Sequence, residues 1–182
     1  MIIGILGRSR VGKDTVATAL VSALGSAKIV RLSQPLKDAV RALYGFTEKQ
    51  LETDAKEAVD LRYGITPRVA IQGLCGHIMK EHGVDFFTRR LYANWGTPEV
   101  GAPALVIPDV RYAHDIAEIR RRGGIVVKIT RDLAAAGYAL HPWEAAIDTM
   151  EADVVLENSG SVAELEAAAR EIVAKLSSLR YV

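Results

Sequence analysis

Gly7 to Thr15 read G-R-S-R-V-G-K-D-T, directly behind the apolar run Ile2-Ile3-Gly4-Ile5-Leu6. No other stretch limits the possible folds as tightly. A strand must run into a tight glycine turn, and a helix over 15–24 must follow it. Gly7 and Gly12 let the backbone curl so that successive N–H groups point inward. Lys13 adds a reachable cation, and the helix start adds its positive end. Together these make an anion cradle suited to phosphate oxygens. Asp14 stands where Ser or Thr is usual, with Thr15 beyond it. Either the carboxylate or the hydroxyl can serve a magnesium ion bound with the phosphates.

The alternation of elements extends the argument. Lys28 to Leu32 reads as a second strand, and Ser33 with Pro35 opens a helix that stops at Gly45. Thr47 and Gln50 form a capping box. Thr66-Pro67 opens a helix running to His82-Gly83, and another spans Asp85 to Trp95. Strands return at Ala104 to Pro108, Ile125 to Thr130 and Asp153 to Leu156. A helix at Ala113 to Arg122 and a last one capped by Ser161 and Glu164 lie among them. Five continuously apolar strands separated by helices predict an α/β fold with a buried parallel sheet. The helical stretch 33–100 reads as an insertion over one end of that sheet. In 182 residues this is one domain.

A formal net charge of +1 argues against a nucleic-acid or membrane surface, and no apolar stretch reaches spanning length. The single cysteine, Cys75, fits a reducing compartment and a core position better than a nucleophile. No basic, apolar leader precedes the glycine turn, so the expected location is the cytoplasm.

Parallel sheets bind ligands at the carboxyl ends of their strands. That places Gly7 to Thr15, Ser33 to Lys37, Asp109 to Arg111, Arg131 and Asn158 to Ser161 at the candidate site. Asp109 either holds metal-bound water or a substrate hydroxyl, or caps the next helix. Arg111 beside it suits a bidentate phosphate clamp. Arg68 and Gln72 share a helix face. The arginine is either solvated or functional, and the glutamine amide can pair with a base edge. Of Phe86 and Phe87, one ring belongs to the core and the other can stack on a nucleobase. Residues 131–145 read as a mobile flap with Arg131 at its base, an arginine either exposed or able to reach transferring phosphates. His141 reads as structural.

These motifs, in order, resemble the deoxynucleoside monophosphate kinases of tailed bacteriophages, within the P-loop nucleoside monophosphate kinases. The matching pieces are G-K-D-T at 12–15, S-Q-P-L-K-D-A at 33–39, T-P-R-V-A-I-Q at 66–72 and V-I-P-D-V-R at 106–111. Gly123-Gly124, Arg131 with H-P-W-E at 141–144, and E-N-S-G-S at 157–161 complete them. The resemblance implies a three-layer α/β/α fold with strand order 2-3-1-4-5, a helical arm for the monophosphate and a lid. It implies transfer of the ATP γ-phosphoryl group to a deoxynucleoside 5′-monophosphate, with Mg²⁺. By position, Gly7, Arg10, Gly12, Lys13, Asp14 and Thr15 hold the ATP phosphates, with Asp14 and Thr15 as metal ligands. Asn158, Gly160 and Ser161 lie near adenine. Lys37, Arg68, Gln72, Phe87, Asp109, Arg111 and, more weakly, Asp115 face the monophosphate, and Arg131 is the lid arginine. Lys13, Arg131 and Asp109 then carry the chemistry. Relatives suggest a homodimer, working in the host cytoplasm if the chain is phage-encoded.

The chain departs from the family pattern at Trp143, His114 and Gly76-His77. The first two put base preference in question. Two rival readings are a P-loop kinase of another small metabolite, such as dephospho-coenzyme A, and a nucleotide-driven ATPase or switch. Arg68…Gln72 and Asp109-Val110-Arg111 argue against the first. The second calls for a partner surface that the sequence does not display.

Overall fold

A computed structural model describes residues 1–95, 103–133 and 144–179. The chain divides into two compact units, Met1–Arg31 with Gly96–Val182, and Leu32–Trp95.

The first unit is built on β1 (Ile2–Leu6), β2 (Ala27–Ile29), β3 (Ala104–Val110), β4 (Ile125–Thr130) and β5 (Val154–Glu157). All four pairings are parallel and the order is β2-β3-β1-β4-β5, as expected from the sequence. Alternate residues of the central strands face opposite layers. Ile3, Ile5, Val106, Val127 and Ile129 pack with Val16 and Leu20 of α1 (Lys13–Leu24) and with Leu165, Ala169 and Ile172 of α8 (Val162–Leu179). On the other face, Gly4 leaves room for α6 (Ala113–Arg121), where a Cβ would fall 2.5 Å from Ile119 Cδ1. The central strands read as unbroken apolar runs because both faces are covered. A short helix, α7 (Ala145–Thr149), precedes β5.

Strand limits depart from the sequence reading where pairing, not composition, decides them. β2 starts one residue early and stops at Ile29, an edge strand with only β3 beside it. β3 continues past Pro108 to Val110. Against β1, Gly4 pairs with Ile107 and Leu6 with Val110, so β3 carries one extra residue there. This bulge accommodates the proline, which has no N–H to give the ladder. Asp153 lies before β5; its Oδ2 accepts the Val126 N–H at 2.7 Å, and its carboxylate receives Arg120.

The second unit holds α2 (Gln34–Tyr44), α3 (Glu48–Glu52), a 3₁₀ turn (Asp54–Glu57), α4 (Pro67–His82) and α5 (Phe86–Trp95). Its core is Val40, Phe46, Leu51 and Ala70, with Tyr44 stacked on Phe46 at 5.1 Å between centroids. The Thr47–Gln50 capping box forms, and the Thr66 hydroxyl accepts the Val69 N–H at 3.1 Å. Ser33 occupies the N-cap position of α2 in helical backbone, without a side-chain cap. Asp60, 8% exposed, binds Arg62 through both carboxylate oxygens and also accepts the Gln50 amide at 2.9 Å. The Arg62 guanidinium, foremost among these contacts, holds the Asp60 carboxyl well below the usual range. Among the described residues no helix is long and apolar enough to cross a membrane.

Gly124 enters β4 so close to β1 that a Cβ would sit 2.7 Å from the Ile2 carbonyl oxygen. Gly124→Ala therefore destabilises the protein by about 1–3 kcal/mol. A urea midpoint lowered at unchanged m would report it; an unshifted midpoint would contradict this packing.

Candidate phosphate-binding site

The loop from Gly7 to Gly12 leaves the carboxyl end of β1, in line with the ends of β3, β4 and β5. Its glycines are required by close approach. Gly7 has φ 158°, and a Cβ there would lie 2.8 Å from the Ile129 carbonyl oxygen. Gly12 has φ 101°, and its Cβ would meet Leu165 Cδ2 at 2.8 Å and Asn158 Nδ2 at 3.0 Å. Arg10, at φ 66°, is the one non-glycine in left-handed backbone among the described residues. Such a conformation persists only where its surroundings enforce it. Part of that enforcement is Asn158 Nδ2, which donates to the Val11 carbonyl oxygen at 2.9 Å.

Lys13 opens α1 and bends back over the loop. Its Nζ donates to the carbonyl oxygens of Gly7 at 2.9 Å and Arg8 at 2.5 Å. Burial first, then the Arg111 charge, lowers its pKa to about 8, against the opposing pull of Glu144, Asp14 and Asp109. An ammonium held in this way gains more from incoming phosphate than one already solvated.

Arg111 follows β3, and its Nη1 lies 3.7 Å from Glu144 Oε1. Asp109 lies inside β3, half-buried, so the helix-capping alternative does not apply to it. That role falls to Asp115, 2% exposed, whose Oδ2 accepts the N–H groups of Arg111 at 3.2 Å and Tyr112 at 3.1 Å. Asp115 thus braces the strand end that carries Arg111. Arg131 is exposed just beyond β4. Of the expected lid, residues 134–143, with His141 and Trp143, lie outside the described residues. Ser161 and Glu164 form their capping box, with the Ser161 N–H donating to Glu164 at 2.7 Å; Gly160 is exposed beside it.

Three residues escaped the sequence reading. Glu144, the last letter of H-P-W-E, is 2% exposed and accepts the Ser9 N–H at 2.9 Å. Asp148 receives Arg8 in a bidentate pair, at 2.9 and 2.5 Å. Arg31 pairs with Asp14 Oδ1. Asp14 is otherwise exposed and Thr15 half-buried, both at the first turn of α1. Their hard oxygen donors, beside a cradle with no room for a Cβ, fit magnesium held mainly by phosphates.

The second unit gathers cations of its own. Arg68 Nε donates to Glu57 at 2.6 Å, and Lys37 Nζ donates to Glu52 at 2.6 Å. Burial, then Arg68, hold the Lys56 ammonium below its usual pKa, with Lys37 adding to the effect. Lys56 carried no sequence signal. Gln72 is exposed on α4. Phe87 is half-buried, edge-on to Phe86 at 5.2 Å.

No protein-family model matches the chain. It is 27% identical over 179 residues to the "Putative deoxynucleotide monophosphate kinase" of Acanthamoeba polyphaga mimivirus, covering 90% of this chain and 91% of that protein. Among solved structures it is similar to a gluconokinase from Sinorhizobium meliloti, with TM-score 0.51, 17% identity, and 98% and 94% of the two chains covered. It is also similar to the dephospho-CoA kinase of Campylobacter jejuni, with TM-score 0.51, 12% identity and 96% of each chain covered. Sheet order, loop and these likenesses together give the chain the three-layer α/β/α fold of the P-loop kinases.

Proposed function

We propose that the chain transfers the γ-phosphoryl group of ATP to a deoxynucleoside 5′-monophosphate, yielding the diphosphate and ADP. The observation that carries phosphoryl transfer is Lys13, half-buried over a glycine loop with Arg111 acting on it. The near full-length likeness to the mimivirus protein supports the acceptor class.

The loop amides and Lys13 bind the ATP phosphates, and Arg10 lies on the rim of that cradle. Asn158, Gly160 and Ser161 border adenine. Asp14 or Thr15 would hold Mg²⁺, which when bound neutralises phosphate charge. Lys37, Arg68 and Lys56 supply cations for the acceptor phosphate, with Gln72 and Phe87 for its base. Asp109 and Arg111 serve the acceptor from the end of β3. Lys13 and Arg131 stabilise the charge that develops during in-line transfer, a reaction that needs positioning and charge more than a strong base.

The test is ADP formation from ATP and Mg²⁺ with each of the four deoxynucleoside monophosphates supplied separately. Dephospho-coenzyme A and a blank without acceptor serve as comparators. Acceptor-dependent ADP with the matching diphosphate is expected for at least one of the four. Equal ADP release with and without acceptor would instead mark a hydrolytic switch, and turnover with dephospho-coenzyme A alone would mark the other kinase class.

A further inference from the structure

Two carboxylates four residues apart, at the start and within α7, meet two consecutive residues of the phosphate loop. Asp148 receives the Arg8 guanidinium, and Glu144 accepts the Ser9 N–H. The helix is itself fixed. Ile147 is 3% exposed, and Lys128 Nζ of β4 donates to the carbonyl oxygens of Asp148 at 2.7 Å and Met150 at 3.1 Å.

Of the two acids, Glu144 is the costly one. Its side chain is 2% exposed, whereas that of Asp148 is 57% exposed. A buried carboxylate destabilises a fold unless cations and donors surround it, and an apolar residue of similar volume commonly serves stability better. What surrounds Glu144 is the loop machinery: the Ser9 amide at 2.9 Å and Arg111 Nη1 at 3.7 Å. Lys13 and Arg8 also lie within its electrostatic reach. Arg111 and Lys13 repel one another. An anion set among them lets both cations occupy one small site.

We infer that Glu144 is a positioning residue for phosphoryl transfer, fixing the curve of the loop through the Ser9 amide and aiming Arg111 beside Lys13. The Arg111 half of this claim rests on the phosphotransferase reading above; the loop half needs only nucleotide binding.

Glu144→Gln and Glu144→Ala in the full chain separate the two halves. Glutamine keeps an oxygen for the Ser9 N–H but gives Arg111 no counter-charge. With Glu144→Gln, kcat should fall roughly 10–100-fold, while the ADP dissociation constant moves less than about threefold and the melting temperature is unchanged or higher. Glu144→Ala removes both contacts, so calorimetric titration with ADP should also show affinity weakened roughly tenfold or more. A purely structural residue would lower the melting temperature in both variants and leave kcat per folded site, KM and ADP affinity at wild-type values. That pattern would overturn the inference. Should the wild-type chain turn over no acceptor, the kinase reading and the Arg111 half fall together. Tenfold weaker ADP binding by Glu144→Ala, with Glu144→Gln near wild type, would still uphold the loop half.

Discussion

Lys13→Ala lowers kcat for acceptor-dependent ADP formation by at least about a thousandfold and leaves the protein folded, with a melting temperature within a few degrees of wild type. The two halves of this expectation have separate causes. The ammonium sits over the loop, hydrogen-bonded to the Gly7 and Arg8 carbonyl oxygens, where phosphate charge would build up. Two cations near it are committed elsewhere, Arg111 at Glu144 and Arg31 at Asp14, and do not replace an ammonium held over the loop itself. For the fold, burial has already lowered the Lys13 pKa to about 8, so the charged head is carried at a cost to stability. Deleting it relieves that cost and exposes two carbonyl oxygens, and the effects largely offset. Lys13→Met, which keeps the apolar stem, should be at least as stable and equally inactive. Retained turnover in either variant would show that the loop is not where phosphate is transferred.

What the sequence revealed were features decided within a few residues. The glycine turn after β1, the Thr47–Gln50 and Ser161–Glu164 boxes and the Thr66-Pro67 helix start each close contacts over one turn of chain. All of them formed. β4 was legible to the residue because Gly123-Gly124 precedes it and every position is apolar, cationic or β-branched. Features decided by distant partners were not. β2 ends where its chain parts from β3 after Ile29, and β3 runs on through Pro108 because a bulge absorbs the missing donor. Glu144 and Asp148 meet Ser9 and Arg8 across 135 and 140 residues, so no local pattern names these partners, even with Glu144 inside the H-P-W-E motif. Asp115 shows the converse. It lies close to the D-x-R motif and reads as a weaker candidate for the monophosphate, while its Oδ2 accepts the backbone N–H groups of Arg111 and Tyr112, contacts that the motif does not announce.

Nucleotide affinity should fall steeply as pH rises through 8, and the sign of that effect comes from Lys13. Its pKa is about 8 in the folded chain against an ordinary 10.5, with burial the main cause and Arg111 the second. For a base whose folded pKa is depressed, the unfolded chain binds more protons between those two values. Folding stability therefore rises with pH across that window, by about 3 kcal/mol at most. Phosphate binding runs the other way. It draws on the protonated lysine, whose share of the free protein drops about tenfold per unit above pH 8. The ADP dissociation constant should thus weaken roughly 30-fold between pH 7 and 9.5, with proton uptake accompanying binding at the upper end. Lys13→Arg, charged throughout that range, should give a nearly flat profile whatever its absolute affinity. Calorimetry in two buffers of different ionisation enthalpy reads both the affinity and the proton uptake. An affinity independent of pH up to 9.5 in the wild-type chain would mean that the Lys13 ammonium does not meet the phosphates. The opposition of the two signs makes the test specific, since general alkaline unfolding would weaken binding and stability together, whereas here binding declines while the fold grows firmer.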